Sequence, residues 1–555
     1  MIRVRPEKLA ALLVGCTLLI GCEGSPPSNL DLLILGGILV DGSGGESSQM
    51  NVGVQGDRIA WIGEDGAQAT DTLDALGLVV APGFIDVHSH TVPALLERQR
   101  RMNEGVLRQG VTTVVGGPDG GFGPEMIRTV IEALGNNGSG TNVAVYIGHN
   151  AIRESVMGED QQRAPTPSEF DVMRTQVREG MELGAVGFST GLMYEPGMFS
   201  ETSEVVELAR EVAPFDGIYD SHVRNPVHAF VESDQEVVAI SEGAGISGKI
   251  GHLKAVGLHN EGRINDVIEL VESARSRNVE IVSDQYPYDG AATTSLIGIV
   301  VIPPSMMDLA GLSSSLRGPG PVNPEAAARF RSMLDNLSHR TQLKEASENG
   351  IDGGFAWLKA TGYSSMRIVS SSDYPELVGV YLSELAEEGQ DPFDAVMDLI
   401  AGASAPVNIT LGAITEEDVR TLMVQPWNMI ASDGAYADGS EASRGHPRGA
   451  GTFARFLGHY VREEGVLPLE EAIRKITSLP ADFLGLTDRG WIKEGYAADL
   501  SIFNAETIID RSDWDYPQRF SEGIVHVLVN GVPVLRDGSL TGQTTGRFLS
   551  LAGMH

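Results

Sequence analysis

The chain has 555 residues and a formal charge of −35. That acidity excludes nucleic acid and anionic membrane surfaces as partners of the folded part, and the length admits two structural units or one elaborated barrel. Only 7 of the 40 basic residues are lysines, so a lysine inside a motif stands out.

The first residues, MIRVRPEKLAALLVGCTLLIGCEG, place Arg3, Arg5 and Lys8 before an apolar stretch too short for a membrane span. Leu19-Ile20-Gly21-Cys22 resembles a bacterial lipobox, with Leu13-Val14-Gly15-Cys16 as a competing match. The expectation is a signal peptide over 1–21, a lipid-bearing Cys22, a tether over 22–30, and export to the periplasm or cell exterior; an uncleaved anchor is the alternative. Cys16 and Cys22 are the only cysteines. Processing at Cys22 would leave the folded part without a thiol nucleophile, a disulfide or a thiolate metal ligand.

Residues 31–81 and 481–555 both read as short β-rich runs with turn signals, and Asn530-Gly531 between apolar alternations marks a hairpin. The pattern predicts one small β-sandwich assembled from both chain ends. Between them, 82–480 alternates short apolar runs with helical patterns, which favours a parallel α/β sheet. Eight candidate strands, 84–88, 112–116, 142–148, 185–190, 217–222, 249–253, 279–284 and 429–432, predict a TIM-like (β/α)8 barrel. An insertion, read as helical, falls within about 289–428 and includes SELAEEGQDPFDAVMDLIAG.

In such barrels reactive groups sit at the C-terminal ends of the strands. His88 and His90 follow the first strand; two residues apart, they project to one side and make half of a metal site. The next strand ends carry Asp119, His149, Ser189-Thr190 and Asp220-Ser221-His222. His252-Leu253-Lys254, Asp284-Gln285-Tyr286 and Ser432-Asp433-Gly434 complete the set. A lone histidine is more often a satisfied core residue, but histidines and carboxylates recurring at equivalent strand ends point to a metal site. The mixed donor set suits Zn2+ best, as one or two ions, with Mn2+ or Co2+ possible.

The order His-x-His, His, His, Asp is that of the amidohydrolase superfamily. The stretches GFIDVHSHT, GAVGFSTGLMYEPG, YDSHVRNP, GHLKAVG, DQYPYDGAATTSL and HPRGAGTFARFLGHYVRE closely resemble the N-acyl-D-amino-acid deacylases, or D-aminoacylases, over nearly the whole mature chain. The resemblance implies hydrolysis of an N-acyl-D-amino acid or small D-residue peptide by metal-activated water. It implies one metal position held by His88, His90 and Asp433, and a second held by His222 and His252. Members of the family carry a shared cysteine ligand after strand two; here GGPDGG puts Asp119 there, either as a substitute ligand or as a turn residue bonding its own backbone. Asp433 would carry the proton from water to the leaving amine; its other reading is a turn aspartate before Gly434. The resemblance also assigns Lys254 to a substrate carboxylate; Tyr286 reads as a second donor and Arg448 as either structural or gating. Asp289-Gly290-Ala291 replaces small hydroxyl residues of the relatives, which leaves the preferred side chain open. Two alternatives remain: an amidohydrolase of L-configured or cyclic amides, and a non-catalytic periplasmic binding lipoprotein. The absence of a lysine in GAVGFSTG argues against the cyclic branch, and the full ligand set argues against the binding protein.

Overall fold

A computed structural model describes residues 28–551, apart from 65, 304–305, 307–327, 330–331, 335, 352–355, 413 and 441–444. The lipobox and the two cysteines lie outside the described residues. Among those described, no helix is long and apolar enough to cross a membrane.

Eight strands form one all-parallel sheet in chain order: Phe84–Asp86, Val111–Gly116, Asn142–Gly148, Gly187–Gly191, Ile218–His222, Gly248–Ile250, Ile281–Gln285 and Asn428–Ile430. The first and last strands meet just beyond their ends. Ser89 bridges Gly434, the Asp433 N–H donates to the His88 carbonyl and the His90 N–H to that of Gly434. This is the nearly closed TIM-like barrel expected from the alternating pattern, and the junction that closes it carries three of the candidate site residues. Strand residues such as Val114, Val145, Phe188 and Ile281 join helix residues such as Ile127, Val177, Val205 and Val271 in one hydrophobic core. Local signals agree with that packing: Thr166 and Glu169 make a reciprocal capping box at the start of the helix Pro167–Glu182.

The strands of the two chain ends hydrogen-bond into a single nine-stranded sheet, Leu500–Phe503 pairing antiparallel with Val79–Pro82 to join the halves. They also share a core, in which Ile34, Val52 and Val80 from the first half cluster with Leu500, Ile502 and Leu528 from the second.

The stretch before the eighth barrel strand holds the helical segment expected and adds a sheet to it. The helices Leu337–Asn349, Trp357–Thr361 and Pro392–Gly402 accompany a three-stranded antiparallel sheet. In that sheet Asn408–Leu411 lies between Ala292–Ser295 and Met366–Ser370. The unit has its own core, with Leu296, Ile368, Phe393, Val396 and Ile409. These strands are only 4 or 5 residues long and pair across long chain separations, so no local alternation announces them. The helix Glu416–Met423 belongs to the barrel, packing against the eighth strand and against the helix Ile264–Ser276.

Candidate metal centre and substrate cleft

The strand ends bring His88, His90, Asp119, His222, His252 and Asp433 to one mouth of the barrel. Two groups form there, His88/His90/Asp119/Asp433 and Asp119/His222/His252, each with donor atoms within 4.8 Å of one another. Asp119 belongs to both. Its Oδ1 lies 3.3 Å from His88 Nε2, 3.7 Å from His222 Nδ1 and 3.8 Å from His252 Nε2, and its Oδ2 lies 3.5 Å from His90 Nε2.

The loop after strand two explains this placement. Gly121 N–H closes a turn on the Pro118 carbonyl, Asp119 adopts φ 57° and Gly120 φ 75°. A Cβ on Gly120 would fall 2.3 Å from Asn150 Oδ1, so only glycine fits. Ser189 clamps the loop from strand four: its hydroxyl accepts from the Gly120 N–H at 3.1 Å and donates to the Gly117 carbonyl at 2.6 Å. The turn is real, yet Asp119 Oδ1 has no hydrogen-bond partner among the described residues. His252 and Asp433 also have positive φ, 36° and 45°. Three non-glycine residues in the left-handed region at one site are the kind of local strain that a functional geometry retains.

The donor atoms that face the mouth are buried and unspent. His88 Nε2, Asp119 Oδ1 and both ring nitrogens of His222 lack hydrogen-bond partners among the described residues. Buried polar atoms are nearly always paired, and a set of imidazole and carboxylate donors converging on a common point fits a divalent cation. Burial disfavours a charged His88, but the Asp119 and Asp284 carboxylates push its pKa up to about 9. Burial, with Lys254 nearby, pulls His252 down to about 3. Asp433 stays ionised: burial opposes its charge, but the Arg448 guanidinium, with a hydrogen bond from His90, holds it well below the usual carboxylate range. Its Oδ2 is 2.6 Å from Arg448 Nη1, while Oδ1 faces His90 Nε2 at 3.1 Å and His88 Nε2 at 3.6 Å. Asp433 therefore does not serve the local turn, where Ser432 Oγ accepts from the Gly434 N–H instead.

A cleft of about 430 Å³ opens over these atoms. Lys254 and Arg448 lie in it beside Asp119, His222 and Asp433, and Ala292, Thr293, Thr294 and Leu411 of the inserted sheet form a further wall. Strand alternation, had the strand continued, would put Lys254 on the same side as His252, two residues earlier. The strand in fact ends at Ile250 and a turn brings the two together, with Lys254 Nζ 2.8 Å from His252 Nδ1. The Tyr286 hydroxyl donates its proton to the Ala291 carbonyl at 2.5 Å. Its ring lies beneath both cations, 5.1 Å from Lys254 Nζ and 4.7 Å from the Arg448 guanidinium carbon.

Other strand-end residues lie elsewhere. His149 Nε2 contacts Glu204 at 2.9 Å, in a buried cluster with Arg153, and does not join the mouth. Asp220 and Asp284 sit one residue pair deeper than His222 and Tyr286, where they flank Lys249 of strand six. Lys249 had no assigned part; its only sequence signal is the scarcity of lysine. Arg448 reaches Asp433 from the start of the helix Arg448–Arg455, a contact no local pattern encodes.

Comparison with known proteins places this geometry in a lineage. A model of the amidohydrolase family matches residues 384–535. D-aminoacylase of Alcaligenes xylosoxydans xylosoxydans is 33% identical over 94% of this chain and 97% of its own length. N-acyl-D-glutamate deacylase of the same organism is 32% identical over 94% and 98%. Among solved structures, N-acyl-D-glutamate deacylase of Bordetella bronchiseptica, in complex with zinc and a phosphonate mimic of the tetrahedral intermediate, superposes with a TM-score of 0.74. It is 30% identical, over 94% of this chain and all of that one. The chain belongs to the N-acyl-D-amino-acid deacylase, or D-aminoacylase, family of amidohydrolases.

Proposed function

We propose that the protein hydrolyses the amide bond of N-acyl-D-amino acids, or of small peptides with a D-residue, at a divalent metal centre. The observation that carries this reading is the pair of ligand groups sharing Asp119, with unspent donor atoms beneath a cleft that also holds two cations. His88, His90, Asp119 and Asp433 would hold one ion, and Asp119, His222 and His252 the other. Zinc is the metal in the Bordetella relative, and the same donors accept Mn2+ or Co2+. A bound divalent ion would supply Lewis-acid polarisation of the carbonyl and lower the pKa of water to about 7.

The protein's own groups do the rest. Arg448 fixes Asp433 Oδ2, which leaves ionised Oδ1 directed at the ligand atoms. From there Oδ1 takes the proton of the attacking water and returns it to the leaving nitrogen. Lys254, supported on the Tyr286 ring, meets the substrate carboxylate, and with Arg448 it makes this side of the cleft attractive to an anion. An exported lipoprotein anchored through Cys22 remains our reading of the N-terminal segment, with a small molecule as the partner and the membrane met only through lipid. Cys22→Ala would abolish lipid attachment, and a wild-type product that is soluble and starts elsewhere contradicts the anchor.

The test of function is turnover of paired N-acetyl-D- and N-acetyl-L-amino acids by the metal-loaded protein. Hydrolysis confined to the D series is expected. Preference for the L series moves the protein to another amidohydrolase specificity, and no turnover of either favours a binding role.

A further inference from the structure

The helix Phe230–Ala244 packs against the strand Gly248–Ile250 that leads to His252. It buries Asp234 completely. Neither carboxylate oxygen has a hydrogen-bond partner among the described residues, and burial drives the pKa well above the carboxylate range, with only the charge of Lys254 opposing. An unpaired buried carboxyl is costly, so a partner is called for. Asp234 borders a cavity of about 10 Å³ whose other walls include Phe230, Ile250, His252 and Lys254. That is room for one water.

His252 supplies the reason. Its Nε2 faces Asp119 in the barrel mouth, and its Nδ1 meets Lys254 Nζ. A histidine that ligates through Nε2 carries its proton on Nδ1 and needs an acceptor there. An ammonium has three donors and no acceptor, so a charged Lys254 cannot fill that role. Asp234 is the unspent acceptor on the same cavity.

We propose that Asp234 is a positioning residue for His252, its carboxyl accepting, through one water in the shared cavity, the hydrogen bond that starts at His252 Nδ1–H. This rests on the metal reading above.

Zinc affinity of the full-length protein, measured by competition with a chromophoric chelator, tests it in wild type, Asp234→Asn and Asp234→Leu. Supporting partners of ligating histidines typically contribute about 10–100-fold in metal affinity. The expected result is a loss of that size for the ion held by Asp119, His222 and His252 in Asp234→Leu, with a smaller loss in Asp234→Asn, whose amide oxygen still accepts. Should Asp234→Leu fail to fold, as judged by near-ultraviolet circular dichroism, Asp234→Ala, which also removes the acceptor, decides. Wild-type affinity in whichever folded variants are obtained overturns the proposal and leaves the metal reading intact. A wild-type protein that binds no zinc overturns both.

Discussion

Two clusters of histidine and carboxylate lie within the same barrel, one above the other, and only the upper one is open. In the mouth, His88 Nε2, Asp119 Oδ1 and His222 present atoms with no partner among the described residues. In the lower cluster His88 turns its other nitrogen, Nδ1, toward Asp220 and Asp284 at 3.9 and 4.0 Å. These three also have the spacing of metal ligands. Both Asp220 oxygens likewise lack a hydrogen-bond partner among the described residues, but here the cation is built in: Lys249 Nζ is 2.8 Å from Asp220, paired with Asp284, and 3.5 Å from His88 Nδ1. Burial opposes charge on Lys249, but the two carboxylates hold it protonated. Clustering of donors alone does not identify a metal site. What separates the two is whether the charge is already compensated, and His88 connects them.

The sharpest way to break that comparison is at Asp433, which faces the mouth through the oxygen that Arg448 does not hold. Asp433→Asn removes the proton acceptor but keeps the shape and the Arg448 contact. General acid–base groups contribute about 10²–10⁴-fold, so kcat should fall by that order in steady-state assays while metal analysis still finds the His222/His252 ion. Loss of all metal with it would make Asp433 chiefly a ligand.

Lys249→Met strikes the lower cluster. It leaves Asp220 and Asp284 facing each other in the barrel without their cation, and removing one partner of a buried ion pair costs about 3–5 kcal/mol. Denaturant unfolding should show a loss of that size with the metal-free protein, where the mouth is not filled. A stability within error of wild type would mean that the two aspartates accommodate the change by protonation.

The smallest effect is expected in the cleft. Lys254→Met should weaken hydrolysis of substrates with a free carboxylate by about 10–100-fold relative to matched amides, from the ~1.5–3 kcal/mol of a charge-assisted hydrogen bond. Equal losses on both substrate types would remove Lys254 from carboxylate recognition.

How much of this was legible differs between the two clusters. The mouth was readable because strand ends in a parallel barrel converge: His88 and His90 follow from their i, i+2 spacing, and His222, His252 and Asp433 from the ends of apolar runs. The same logic over-reached at His149, which is spent on Glu204, because a strand end fixes a position and not a direction. The lower cluster was hidden. Asp220 and Asp284 looked like further mouth residues, and only the three-dimensional register puts Lys249 between them. Arg448 could be read only as structural or gating, and Asp234 escaped altogether, for a related reason: each lies near a residue that folding alone brings close. The sheet of the inserted unit pairs strands too short and too distant to leave a pattern.

Asp119 is where the account can be tested most directly, because both ligand groups depend on it and because relatives, by the sequence resemblance, use a thiolate at that point. A carboxylate is the harder ligand and can span two ions through its two oxygens. Metal content and turnover of wild type, Asp119→Ala and Asp119→Cys should be measured side by side after loading with zinc. The account predicts that the alanine variant loses metal and activity and that the cysteine variant regains at least part of the metal. Unchanged metal content and turnover in Asp119→Ala would contradict it, leaving Asp119 a turn residue and the centre to the four histidines and Asp433.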